Sequence, residues 1–203
     1  MKTKLQTKDF ILIGVFSILI YVVNAIVGFA LTPVMATAAM PLISGVCLFF
    51  SAVVYLIMAM KIGKKGVLLL LAIVTGLFYT IMGVPLMLPF FVVAGLIGEA
   101  TLVSGDGSQY RRLARQAIAY AAYGALFGLG AYVTVYVYGS DYLESMYSAD
   151  MRERMLYFAY SPAWIAGSMA FSFGMSVLGS LFAATLLNRH FVKAGMVRKA
   201  EPR

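Results

Sequence analysis

Few side chains in this sequence have the chemistry of a catalytic site. The single histidine, His190, lies among basic residues near the end of the chain, whereas a membrane hydrolase needs a nucleophile and a base at membrane depth. The motifs GxSxG, HExxH, GxGxxG and GxxxxGK(S/T) do not occur, and neither do the paired aspartates that hold magnesium for prenyl transfer. We therefore expect no enzyme and no resident cofactor or metal. Active transport would need separate ATPase subunits.

Two polar residues lie within apolar stretches, where polar groups are costly and often functional. Glu99, in AGLIGEATLVSG, could couple to a partner or an ion. We expect instead that it pairs with one of three arginines just beyond it, Arg111, Arg112 or Arg115, since long arginine side chains reach up from the interface. Asn24 could bind a substrate or bond a neighbouring helix, and the sequence leaves both readings open.

Aromatic residues crowd one end of the predicted helices. An interfacial aromatic belt accounts for most of them. Tyr132 and Tyr136, however, share a helix face with Gly128, so that a small residue beneath two tyrosines could leave room for a ligand. Tyrosine, methionine and tryptophan suit a flat or partly apolar organic molecule.

A row of small residues recurs every four positions in SMAFSFGMSVLGSLFAA, so it lies on one helix face. Such rows let helix backbones approach closely in lipid. A second thin stripe is offset from the first. Either stripe could pack inside the bundle or meet a partner protein; the first consists of Ser168, Ser172, Ser176 and Ser180, and the second of Ala166, Ala170 and Gly174.

The elements that must position these residues are membrane helices. Of the 203 residues, 62% are hydrophobic and 12% charged, about half the charged fraction of a soluble domain. Apolar stretches long enough to cross a bilayer predict an all-α polytopic protein forming one integral membrane domain over 1–203. Its six spans are 10–31, 35–60, 67–82, 85–103, 113–138 and 163–187.

The basic residues give this bundle an orientation. Only Arg152 and Arg154 among the 16 Lys and Arg residues fall on one side of the predicted membrane, so the positive-inside rule places both termini in the cytoplasm. The net charge of +8 is then a topology signal in a cytoplasmic membrane protein that meets lipid head groups, and we expect no nucleic acid partner. The outer loop 139–162 contains a predicted amphipathic helix over 149–160 and could be a lid or a plain connector.

Three segments carry a resemblance to a known family. They are MPLISGVCLFFSAVVYLIMAMKIGKKGVLLLLAIVTGLFY, LPFFVVAGLIGEATLVSG and YRRLARQAIAYAAYGALFGLG. Together they resemble the Trep_Strep (MptD-like) group, proposed substrate-binding S components of energy-coupling factor (ECF) transporters, over roughly residues 5 to 195. The most specific part is the pattern MAMKIGKKG at 58–66.

The resemblance implies a six-helix S component with cytoplasmic termini that imports a small nutrient such as a vitamin or related micronutrient. It implies as partners a transmembrane coupling protein and two cytoplasmic ATPases. The first span lacks the Ala-x-x-x-Ala pattern that many S components use for docking, so the two stripes of the last span become the docking candidates. The family's pocket faces outward, and the candidates for it here are Asn24, Tyr79, Tyr132, Tyr136, Tyr160 and Trp164.

Two other functions remain open at this point. A self-sufficient permease or channel predicts inverted repeats or broken helices with several buried polar groups, and the sequence contains few such groups. A structural or regulatory membrane protein predicts no ligand pocket.

Overall fold

The computed structural model describes residues 4–36 and 40–187. The cations and the histidine predicted to follow the last span lie outside this range. The described residues form α-helices with short 3-10 turns between them and contain no strand. The α-helices are α1 Thr7–Ala30, α2 Ile43–Ile62, α3 Val67–Ile81, α4 Met87–Ala100, α5 Leu113–Phe127, α6 Gly130–Met146, α7 Ala149–Tyr160 and α8 Pro162–Leu186.

Four stretches of the described chain are long and apolar enough to cross a membrane: Thr7–Ala30, Ile43–Ile62, Leu113–Gly139 and Pro162–Leu186. Helices α3 and α4 are apolar but have only 15 and 14 residues, and at 1.5 Å per residue they are about 21–23 Å long. They pack tightly against each other, because Gly76 meets the backbone of Leu88 and Gly95 meets Ala72. The all-helical membrane architecture predicted from the sequence is thus confirmed.

The span predicted over 113–138 corresponds to the apolar stretch Leu113–Gly139, but a short turn interrupts its helix. Helix α5 ends at Phe127 and α6 begins at Gly130, because the sequence Gly128-Leu129-Gly130 places two glycines, poor helix formers, within three residues. Helix α6 then continues to Met146 and bends at Gly139, where φ is 70° and ψ is −167°. The segment 139–162 is therefore mostly helical rather than a loop, and α7 occupies the range predicted for an amphipathic helix.

The bundle has two hydrophobic clusters. The larger one fills the space between α1, α2, α3, α4 and α5 and includes Tyr55, Leu68, Phe91 and Tyr120. The smaller one joins α6 to α7 and to the start of α8, around Leu143, Met155 and Phe158. We call the α6–α7 pair the cap, since it has its own core and lies over one end of the bundle.

Candidate functional site

A cavity of about 550 Å³ lies at one end of the bundle, which we call the cavity end. Its walls are the second half of α1, the start of α2, the second half of α3, the start of α4, and α5 with the start of α6. The turns around Pro41 and Val84 close it at the edge, and Met155 and Phe158 of the cap contribute to it from α7. Its size falls within the range of about 300–1,000 Å³ that is usual for small-molecule sites.

Aromatic rings form most of the wall contributed by α3, α4 and α5. Phe91 of α4 is buried and packs against Tyr79 of α3 and Phe127 of α5, with ring centroids 5.4 Å away in both cases. On α5, Tyr120 and Tyr123 are three residues apart, and both line the cavity. Residues three apart share a helix face, so α5 presents a continuous aromatic surface to the cavity.

The wall formed by α1 and α2 is more polar. Ser51 Oγ lies within hydrogen-bonding reach of Asn24 Oδ1 and is 2.6 Å from the carbonyl oxygen of Cys47. A hydroxyl has one proton to donate, so it can donate to one of these two oxygens only. Whether the carbonyl or the NH2 group of the Asn24 amide faces Ser51, the other of these two groups points away from Ser51. Because Asn24 lines the cavity, this other group is available to a ligand.

Two further polar residues line the cavity. Ser44 lines the cavity, and its buried hydroxyl oxygen has no hydrogen-bond partner among the described residues. Tyr21 donates from its hydroxyl to the carbonyl oxygen of Thr75 at 3.1 Å, and its ring stacks on Phe78 with centroids 4.1 Å apart. Among the described residues, no acidic or basic side chain lines this cavity.

Residues 7–193 match the family model of a hypothetical bacterial integral membrane protein, Trep_Strep. The chain belongs to the Trep_Strep family. It is therefore an integral membrane protein, in agreement with its long apolar helices. No curated protein and no solved structure matches the chain.

Three of the six residues predicted to bind a ligand line the cavity of this Trep_Strep protein: Asn24, Tyr79 and Tyr132. Tyr132 is buried, and its hydroxyl is 3.1 Å from Ser168 Oγ. Asn24 lines the cavity and also contacts Ser51 of the neighbouring helix.

The other three residues do not line the cavity and belong to the cap and its junction with α8. Tyr136 is 50% exposed and donates to the carbonyl oxygen of Ala159. Tyr160 is 67% exposed and meets the Tyr136 ring edge-on. Trp164 packs against Phe158, with centroids 5.0 Å apart. These contacts with the cap hold the three side chains outside the cavity wall.

The serine row of this Trep_Strep protein faces its own bundle. The four serines Ser168, Ser172, Ser176 and Ser180 are at most 1% exposed. A methyl group at Gly124 or Gly128 of α5 would collide with Ser176 or Ser172, so the backbones of α5 and α8 are too close for a larger side chain. The serine row therefore cannot dock a partner while the bundle is folded. The second stripe points outward: Ala166 and Ala170 are exposed, and a methyl group at Gly174 would meet nothing within 4 Å.

At the opposite end, the basic end, acidic side chains hold the loop between α2 and α3. Glu99 of α4 accepts a hydrogen bond from the Gly66 amide at 2.6 Å, at the start of α3. Asp9 of α1 forms a 2.5 Å ion pair with Lys64, and both side chains are largely buried. A carboxylate at a helix N-terminus is stabilised by the unpaired amides there. The family pattern MAMKIGKKG is thus the segment that these two acids fix in place.

Glu99 does not pair with an arginine as the sequence suggested. It lies on the side of α4 that faces the start of α3, and the arginines take other positions. Arg115 donates to the carbonyl oxygen of Ser104 at 2.9 Å, the side chain of Arg111 lies against Gly63, and Arg112 is exposed. The second carboxylate oxygen of Glu99 has no hydrogen-bond partner among the described residues.

Sequence reasoning missed several cavity residues, notably Tyr21, Thr75, Tyr120 and Tyr123. Tyr120 and Tyr123 lie in the middle of a predicted span, within AYAAYGALFGLG, and not at the interface where tyrosine is common. The spacing of these two tyrosines, three residues apart among alanines and glycines in the middle of a span, could have indicated that they line a cavity.

Proposed function

We propose that this protein is the substrate-binding subunit, or S component, of an ECF-type importer in the cytoplasmic membrane. It captures a small organic nutrient from outside, and its partners are a transmembrane coupling protein and two cytoplasmic ATPases. The cavity carries the proposal, because a purely structural membrane protein has no need for a 550 Å³ aromatic pocket among its helices.

The position of the cavity supports capture from outside. It lies away from the end where Lys61, Lys65, Arg111 and Arg112 are exposed. The positive-inside rule assigns that basic end to the cytoplasm, so the cavity end faces out. This orientation, with both termini inside and six membrane-crossing segments, is part of the proposal. The short helices α3 and α4 are two of those six segments.

The absence of an ATP-binding motif in the sequence supports the need for partner ATPases. The outward stripe of Ala166, Ala170 and Gly174 on α8 is the surface we assign to the coupling protein. Small side chains let two helices slide and repack at short distance, which suits a contact that must form and release in each transport cycle.

Co-purification with an ECF coupling module tests the function. We expect the chain to assemble with the module, and we expect Ala170→Trp to reduce the assembled fraction by roughly tenfold, since a hot-spot contact is worth about 1.4 kcal/mol or more. The control is Ile118→Trp, which enlarges another exposed apolar residue, on α5.

Failure to assemble, with the same module competent toward other S components, would contradict the proposal. Uptake into liposomes that contain the chain without ATPases would instead identify it as a self-sufficient permease. Equal assembly of the Ala170→Trp and Ile118→Trp variants would remove the α8 stripe from the interface and leave the rest of the proposal standing.

A further inference from the structure

The described lining of the cavity contains no charged side chain that could balance a charged ligand. Its polar lining groups are amide, hydroxyl and thiol groups, those of Asn24, Ser44, Cys47 and Thr75 among them. The buried ionic contacts of Asp9 and Lys64, and the hydrogen bond of Glu99, are at the opposite, basic end. An ionised carboxylate, phosphate or ammonium moved from water into such a site loses its hydration and gains no counter-ion. The lining therefore selects against ionised ligands.

The aromatic wall selects for a flat ring. Ring pairs prefer offset-stacked or edge-to-face arrangements at centroid separations of about 4.5–7 Å, and the rings of Phe91, Tyr79 and Phe127 already adopt such spacings with one another. Tyr21 and Tyr123 add two more rings to the lining. A planar ligand can extend this set of stacked rings without a change in the protein, whereas a saturated ligand gains no stacking contact.

The α1–α2 wall gives the ligand an orientation. Ser51 contacts only one of the two polar groups of the Asn24 amide. The Ser44 hydroxyl is buried without a hydrogen-bond partner in the described chain. An unpaired buried hydroxyl is unfavourable. Ser44 lies seven residues before Ser51, the partner of Asn24, about 10 Å along α2, so a polar ligand edge of about that length, with hydrogen-bonding groups at both ends, would satisfy both residues.

We propose that the cavity binds an uncharged ligand with a planar aromatic ring system, whose polar edge is held by Asn24 and Ser44 while its ring stacks on the aromatic residues of α3, α4 and α5. This assignment rests on the proposed function in that the ligand is taken to be the imported nutrient. It narrows that nutrient to compounds that are neutral at physiological pH.

Matched pairs of probes that differ mainly in charge test the assignment on the isolated chain in nanodiscs. Suitable pairs are benzamide and benzoate, nicotinamide and nicotinate, and riboflavin and riboflavin 5′-phosphate, which extend from one ring to three. In equilibrium dialysis we expect the neutral member of at least one pair to bind at least about tenfold more tightly than its ionised partner. Equal or tighter binding of the ionised members, or no binding by any neutral member, overturns the proposal.

Variants locate the binding. Asn24→Leu and Ser44→Ala should each weaken binding of riboflavin, the neutral probe whose fused rings are long enough to reach both residues, by at least about fivefold, as expected for loss of a ligand hydrogen bond. Thr185→Leu is the control, since this exposed hydroxyl bonds only within α8. Should Asn24→Leu fail to fold, Ser44→Ala decides alone. Unchanged binding in the folded variants would contradict the assignment of the polar edge.

The test separates this inference from the proposed function. Ligand binding is measured without the coupling module, and assembly with the module is measured without a ligand. Assembly together with preference for ionised probes would overturn only the ligand class. Binding of neutral probes without assembly would overturn only the importer role.

Discussion

The interface of α8 with α5 and the cavity beside α5 are adjacent but built from opposite kinds of residue. On one side of α5, Gly124 and Gly128 meet the serines of α8 so closely that no methyl group fits between them. On the cavity side, Tyr120, Tyr123 and Phe127 project from the same helix. Helix α5 thus packs closely against α8 through small residues and lines the cavity with large aromatic residues.

The difference shows how side-chain size sets helix separation in a membrane. Lipid is as apolar as the helices, so burial alone does not draw helices together, and close packing of small residues does. Aromatic rings on facing walls hold helices apart and leave room that the rings do not fill. The closed interface supplies the stability that allows the neighbouring region to remain hollow.

The largest expected effect comes from forcing the closed interface open. Ser176→Trp inserts an indole where Ser176 is fully buried against Gly124. We expect loss of the folded protein, a cost of more than about 3 kcal/mol, because overpacking a filled interface strains both backbones. Size-exclusion chromatography of a fluorescent fusion measures the yield of folded protein.

The matched control for this variant is Ala170→Trp on the outward stripe of the same helix, which should fold normally because Ala170 is exposed. A folded Ser176→Trp protein that fails only to join the coupling module would show that the serine row is a docking surface after all.

A smaller effect is expected above the cavity, in the cap. The backbone of Gly139, with φ 70° and ψ −167°, lies in a region that essentially only glycine adopts, and other residues pay about 1–3 kcal/mol there. Gly139→Ala should therefore loosen the cap while the bundle stays folded. Hydrogen exchange should show faster amide exchange in α6 and α7 and unchanged exchange in α2 and α3.

Gly174→Ala is the comparison for this substitution, since both positions have open space around an added methyl group and only Gly139 has a positive φ. Equal exchange in the two variants would mean that the bend in α6 does not hold the cap.

The smallest expected effect concerns a side chain that joins the two regions. Tyr132 lines the cavity, and its hydroxyl meets Ser168 of the serine row. Tyr132→Phe should cost about 0.5–1.5 kcal/mol, the net value of one hydrogen bond, and nearer the lower figure because Ser168 also bonds the carbonyl oxygen of Trp164.

The midpoint of thermal unfolding measures this change. Tyr157→Phe, at a residue that is 64% exposed, should leave the midpoint unaltered. A larger loss in Tyr157→Phe than in Tyr132→Phe would contradict the link between the two regions.

The sequence was informative about the helices and the membrane character of the protein. Apolar length and the positions of the charges predicted an all-helical membrane protein, and the polar–apolar pattern over 149–160 predicted a helix that the structure contains as α7. These properties depend on residues close in sequence, so local patterns are sufficient to reveal them.

The direction in which each side chain points was less accessible. Tyr132 and Tyr136 were expected to share a pocket wall, and they are four residues apart on α6, but the Tyr136 hydroxyl donates to Ala159 of α7 whereas the Tyr132 hydroxyl meets Ser168 of α8. The serine row and the alanine stripe look equally suited to docking in the sequence. The serine row is the interior one because Gly124 and Gly128, which are distant in sequence, pack against it. The hydrogen bond between Glu99 and the Gly66 amide likewise depends on the position of the start of α3 relative to α4, which the sequence does not reveal.

The loop at the basic end has a mechanical consequence for the opposite end of the molecule. Asp9 on α1 forms an ion pair with Lys64 of this loop, and Glu99 on α4 accepts a hydrogen bond from Gly66. Both helices are therefore attached to the same loop and can pivot about it. Asn24 stands 15 residues beyond Asp9 on α1, about 22 Å along the helix, so that a tilt of about 3° at this loop moves Asn24 by about 1 Å. A tilt of α1 about this loop therefore changes the width of the cavity at the other end of the bundle.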